Sequence, residues 1–309
     1  MWVSLSLLLL AFLRPAMGLV GCVMCPEEDS LLPHPTDCTS YIRCEGRQAI
    51  FLTCPEGHVF HQASQSCRSS TITQCVEESG PRELVSCPSG ILNTQAPRDS
   101  GSLSTEGACS NTCTDYESLV NTDEVHSVCA AETSTCLNDH LVRGVKVEEE
   151  WVLVAAHNSR RQRLAIGVED GSALPSNLPS ATNMNALVWN GELAKVAQAL
   201  ADTCSDYSDC EHCRRITSRK YEVGQNPFWV WTTSAARPEY DALVEQWYSE
   251  VQYVSDLAWI VNYTNPDGVV IKHFTQVAWA LTEEVGCGWA AVDKGSWVSH
   301  IVICNYGPG

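Results

Sequence analysis

Cysteine and histidine are the residues through which this chain could do chemistry, and their spacing separates structural uses from reactive ones. Seventeen cysteines occur in 309 residues, twelve of them before residue 137. The cluster Cys210-Glu211-His212-Cys213 has a spacing that suits either a metal or thiol exchange. In an exported chain, two such cysteines are expected instead to be disulfide half-cystines around an exposed loop. His157 is expected to hydrogen-bond neighbouring backbone, and His273, at the start of an apolar stretch, reads by itself as a satisfied core histidine. No Ser-His-Asp order, Gly-x-Ser-x-Gly elbow or His-Glu-x-x-His helix is visible.

The cysteine usage agrees with the first residues. Leu5 to Leu13 is an apolar run too short to span a bilayer, and Ala16-Met17-Gly18 follows it with small residues at a cleavage site. Residues 1–18 are therefore expected to be a signal peptide and the chain to be secreted. Leu19-Val20-Gly21-Cys22 also has the form of a lipobox, but nothing else in the chain looks bacterial. The count of cysteines is odd, and Cys22, just ahead of the first regular framework, is the expected odd member. A net charge of −18 spread over both halves leaves no basic face, which argues against nucleic acid and anionic lipid as partners. No later apolar run is long enough to cross a membrane.

Residues 22–75 form the first unit. Its six regular cysteines, Cys25, Cys38, Cys44, Cys54, Cys67 and Cys75, are separated by 12, 5, 9, 12 and 7 residues. Three bridges in so short a stretch imply a small β-rich module held by crosslinks as much as by a core, with fifteen pairings possible on spacing alone. Cys25-Pro26, Pro35-Thr36-Asp37-Cys38, Tyr41 before Cys44, Cys54-Pro55-Glu56-Gly57 and Val59-Phe60 resemble the peritrophin-A chitin-binding domain. The resemblance implies chitin as partner. Tyr41, Phe51 and Phe60 are the residues that could stack on sugar rings, although aromatics in so small a module also make its core. One departure from the family follows the fifth cysteine, where Arg68-Ser69-Ser70-Thr71 stands in place of an acidic residue, an aromatic and a proline.

Residues 76–147, a segment of unknown fold or linker, are rich in Ser, Thr, Gly and Glu and carry five further cysteines, which suggests that part of the stretch is a small disulfide-tied unit. Residues 148–309 are long enough to bury a substantial core. Helices are expected from Glu148 through Arg163, after the N-cap Asn190, and around Leu243, Val244, Trp247 and Val251. Strands Cys287 to Val292 and Trp297 to Tyr306 flank the turn Asp293-Lys294-Gly295-Ser296, so Cys287 and Cys304 are expected to pair. Asn262-Tyr263-Thr264 is a glycosylation sequon on an expected loop.

Four stretches of this last unit together resemble the CAP superfamily of cysteine-rich secretory, antigen 5 and pathogenesis-related proteins. They are His157-Asn158-Ser159-Arg160-Arg161, Gly224-Gln225-Asn226, Lys272-His273-Phe274-Thr275-Gln276-Val277-Ala278-Trp279 and Ile303-Cys304-Asn305-Tyr306-Gly307-Pro308, with Trp247-Tyr248-Ser249-Glu250 between the second and third. The resemblance implies an α-β-α sandwich, and thus a multidomain chain overall. It also implies a cleft of His212, His273, Glu250 and Gln225 that could hold zinc or another divalent cation. Gln225 stands where glutamate is commoner, so the ion would be weakly held and one candidate general base would be missing. Asn158 and Arg161 read as scaffold. A chitin-tethered binding protein, with a sterol or other lipid as a possible ligand of the CAP domain, is the leading expectation. A metal-assisted hydrolase and a disulfide-crosslinked matrix protein are the alternatives.

Overall fold

The computed structural model describes residues 20–23, 25, 30–34, 37–46, 48–69, 83–86, 113–205, 208–261 and 269–309. The expected leader, Cys75 and the sequon at Asn262 lie outside these residues. The chain opens with strand β1 (Val20–Val23). In the cysteine module β2 (Ser30–Pro33), β3 (Ser40–Glu45) and β4 (Gln48–Thr53) form an antiparallel sheet, beside a hairpin of β5 (His58–His61) and β6 (Ser66–Ser69). Bridges Cys25–Cys44 and Cys54–Cys67 staple it, and Cys38 is also disulfide-bonded.

After β7 (Glu83–Ser86) come helices α1 (Cys113–Tyr116) and α2 (Ser127–Thr133), then β8 (His140–Arg143). The long helix α3 (Val147–Ala165) follows, its start satisfied by Glu149, which accepts from the Lys146 amide at 2.8 Å. Beyond it lie β9 (Val188–Trp189), α4 (Gly191–Asp202), β10 (Gly224–Thr232), α5 (Tyr240–Tyr248), α6 (Ala258–Val261) and α7 (Lys272–Val277). Asn190 caps α4 as expected, its side-chain oxygen accepting from the amides of Glu192 and Leu193. The chain closes with β11 (Glu284–Lys294) and β12 (Trp297–Gly307), joined through Gly295 at φ 71°. Cys287 and Cys304 face each other in register and are bonded. Val251 falls in a 3₁₀ turn just past α5 rather than in the helix itself.

The central sheet has the order β7-β1-β10-β12-β11-β8, with β9 beside β11. All eleven residues of β12 are buried, so both faces of the sheet must be covered. One face takes α3, α5 and α7, which bring Leu153, Leu243, Trp247 and Phe274 against Phe228, Val230, Trp289 and Val302. On the other face α4 lies directly over β11, where a Cβ at Gly288 would come within 2.3 Å of the Gln198 backbone. The rest of that face is covered by the cysteine module. Leu32, Ile42, Cys44 and Ala49 pack in one cluster with Trp229, Trp231, Trp297 and Ile301. The Trp297 indole donates to the Pro33 carbonyl at 2.6 Å.

Within 76–147 the bridge Cys113–Cys129 ties a small unit, as expected, and the described part also packs on the C-terminal domain. β8 pairs with β11, Tyr116 and Val128 pack on Leu193 and Val196 of α4, and Cys136 is bonded to Cys204. β1 and β7 likewise extend the sheet by parallel pairing beyond β10, so the sheet draws strands from well before residue 148.

This packing couples the two ends of the chain. Apart from Trp2, every tryptophan lies at residue 151 or later, so tryptophan fluorescence reports on the C-terminal domain and on the core it shares with the module. Ile42 is fully buried, and Ile42→Ala should cost about 2 to 5 kcal/mol. Its urea midpoint by tryptophan fluorescence should fall with that loss; a midpoint equal to wild type contradicts the shared core.

Candidate functional site

The four motif stretches of the C-terminal domain meet in one buried hydrogen-bond network. His157, fully buried on α3, donates from Nδ1 to the Leu153 carbonyl at 2.7 Å and accepts the Tyr306 hydroxyl on Nε2 at 2.8 Å. Asn226 on β10 donates both to that hydroxyl and to the His273 carbonyl. Asn158 brackets Leu187, donating to its carbonyl and accepting from its amide. Arg161 is 1 % exposed, and all of its hydrogen bonds go to main-chain carbonyls, those of Asn185, Val277, Trp279, Ala280 and Thr282. Its planar fork suits several converging acceptors, and although burial pulls its pKa down to about 10 it stays charged at neutral pH. His157, Asn158 and Arg161 are scaffold, as their types suggested.

The expected cleft residues are only partly brought together. Glu250, in the turn after α5, accepts from the His273 ring Nδ1 at 2.6 Å through one oxygen, and from the amides of His273 and Phe274 through the other. Both carboxylate oxygens are thus occupied by donors of the short helix α7. His212 faces elsewhere: its Nδ1 lies 3.1 Å from Glu124 and 2.9 Å from the Asn121 amide, both from the middle stretch. Those two residues line a cavity of about 410 Å³ whose other walls include Glu117, Val125 and His126. Gln225 donates to Asn305 at 3.0 Å. The acid near Gln225 is Asp209, which also takes the Ser127 hydroxyl and pairs with Arg214 at 3.2 Å. Nothing in the sequence around Cys210 singled out Asp209 over His212.

The arrangement offers a divalent cation few ligands. Among the described residues, the one trio of His, Cys, Asp or Glu with ligand atoms mutually within 4.8 Å is Cys136, His140 and Cys204. Two of its members are joined as a disulfide and offer no thiolate. In the cleft the buried polar atoms without partners are Gln225 Oε1, His273 Nε2, Gln276 Nε2 and Asn305 Nδ2. His273 Nε2 and Gln225 Oε1 carry free lone pairs, whereas the two amide nitrogens are donors, so the described cleft supplies two ligand atoms where a zinc site takes three or four from the protein.

In the module, the three candidate sugar-stacking aromatics are in different settings. Phe60 is buried, with Tyr41 stacked on it at 5.0 Å between ring centroids and 11° between planes. Phe51 is half-buried against the core shared with the C-terminal domain, its edge toward His34.

Comparisons with known proteins agree with these two units. The profile of the cysteine-rich secretory protein family (CAP) matches residues 154–306, and that of the chitin binding Peritrophin-A domain matches residues 25–75. Venom allergen 5.02 of Dolichovespula maculata is 38% identical over 188 residues, covering 60% of this chain and 84% of that protein. Venom allergen 5 of Vespula vidua is 38% identical over 189 residues, covering 60% of this chain and 87% of that one. Among solved structures, Na-ASP-1 aligns with a TM-score of 0.43 at 22% identity, over 58% of this chain and 41% of that chain.

The buried histidines make acid stability a test of the network. Desolvation holds His157 and His300 at about 4, below the ordinary 6.5. Between these values the unfolded chain binds protons that the native fold refuses, so stability falls as pH drops from 6.5 toward 4. The slope is about 1.4 kcal/mol per pH unit for each histidine. His157→Gln should lower the starting stability and make the loss shallower by that amount, read from urea midpoints across the range. Parallel profiles for the two proteins contradict it. With its network, its cysteine framework and its relatives in agreement, the chain belongs to the cysteine-rich secretory protein (CAP) family and carries a peritrophin-A chitin-binding domain ahead of the CAP domain.

Proposed function

We propose that this is a secreted, non-enzymatic protein that holds its CAP domain on chitin-containing extracellular material. The observation that carries the reading is the match of residues 25–75 to a chitin-binding domain, together with that module's stapled sheet packed on the CAP core. Secretion is supported by the apolar leader and by the disulfides, which persist in oxidising compartments. Among the described residues no helix is long and apolar enough to cross a membrane.

The CAP cleft supports a structural role better than hydrolysis. Glu250 is committed to His273 and two amides, and His212 is committed to Glu124 and Asn121. His273 keeps a free Nε2, but among the described cleft residues only Gln225 Oε1 joins it as a free acceptor, fewer ligands than catalytic zinc takes.

A chitin-bead assay with the full secreted chain tests the proposal. Contacts between sugar and aromatic or amide groups are not ionic, so retention should persist as salt rises to several times physiological strength. Soluble N-acetylglucosamine oligomers should release the bound protein. Failure to bind, or release by salt alone, contradicts it.

A further inference from the structure

The sheet of the module has two faces, and the CAP domain has taken one of them. Side chains alternate along a strand, so Leu32, Ile42 and Phe51, which sit opposite one another on β2, β3 and β4, share the face turned toward Trp229, Trp297 and Ile301. Tyr41, Arg43 and Glu45 occupy the other face of β3, with Leu52 of β4 opposite Tyr41. A polymer of extended sugar rings cannot reach the first face without displacing the CAP sheet.

The outer face has the chemistry that a neutral amide-bearing polysaccharide requires. Tyr41 is half-buried and lies parallel on the buried Phe60, so its ring is a platform already fixed in orientation. Arg43 and Glu45 form an ion pair at 2.7 Å with both side chains about half exposed (50% and 55%). The pair offers donors and acceptors together while adding no net charge, which matches an uncharged partner rather than an anionic one. The three residues are spread over about 13 Å of strand, enough for more than one ring of an extended chain.

We infer that chitin lies along the outer face of β3 and β4. Its ring C–H groups rest on Tyr41, and its acetamido and hydroxyl groups hydrogen-bond to Arg43 and Glu45. Phe51 is then a docking residue for the CAP domain and not a sugar contact. This inference rests on the chitin-binding reading above.

The test uses the full chain, binding isotherms on chitin beads, and urea unfolding followed by tryptophan fluorescence. Arg43→Ala with Glu45→Ala, both on exposed side chains, should weaken chitin binding roughly tenfold without moving the unfolding midpoint. Tyr41→Leu should weaken it by a similar factor, and Tyr41→Phe should leave it near wild type. Phe51→Leu should lower the unfolding midpoint while leaving chitin affinity unchanged. Wild-type affinity in the Arg43/Glu45 double variant and in Tyr41→Leu overturns the inference. So does loss of binding in a Phe51→Leu protein of unaltered stability. Absence of binding by the wild type removes the chitin-binding reading itself, and this inference with it.

Discussion

A strand buried along its whole length has to be covered on both faces of its sheet, and β12 is such a strand. Three helices cover one side. On the other, α4 covers β11 and part of β12, and the tryptophans of β10 and β12 would be left partly bare beyond it. Exposed aromatic area of that kind is a strong drive for association, at roughly 25 cal/mol for each Å² covered. The cysteine module meets that need from within the chain, and the Pro33 carbonyl gives the Trp297 indole a partner at the junction. The module's orientation follows from this contact, and with it the face left free for a polymer.

The residues that first suggest chemistry are mostly used to hold the backbone. Arg161 gathers carbonyls from segments around residues 185 and 277–282, a set of loops without regular pairing of their own. Buried carbonyls need donors, and a single guanidinium supplies several at fixed angles. His157, Asn226, His273 and Tyr306 then tie four distant parts of the chain into one network. A cluster of family motifs can therefore mark an interlock as readily as a reactive site.

Much of the fold was legible because its signals are local. The acidic first turn of α3, the Asn190 cap and the apolar rows of α4 and α5 are read within a few residues of where they act. The hairpin turn at Gly295 placed Cys287 opposite Cys304 for the same reason. What stayed hidden depends on contacts between segments far apart in the chain. β1 and β7 are short, and their pairing with β10 has no local signature. Phe51 looks like any module aromatic until the CAP sheet is placed against it. His212 carries a histidine's promise in a loop whose direction is decided by Glu124 and Asn121, nearly ninety residues earlier. Cys210 and Cys213 are half-cystines as expected, and they are bonded to each other, a pairing that spacing left open.

The central claim is that the chitin-binding module and the CAP domain form one cooperative structure around a shared core. Scanning calorimetry of the intact, disulfide-bonded chain tests it most directly. One core predicts a single endotherm whose calorimetric and van't Hoff enthalpies agree. Two resolved transitions, one of a size fitting the module alone, would contradict it and make the module a tethered bead rather than the second cover of the sheet.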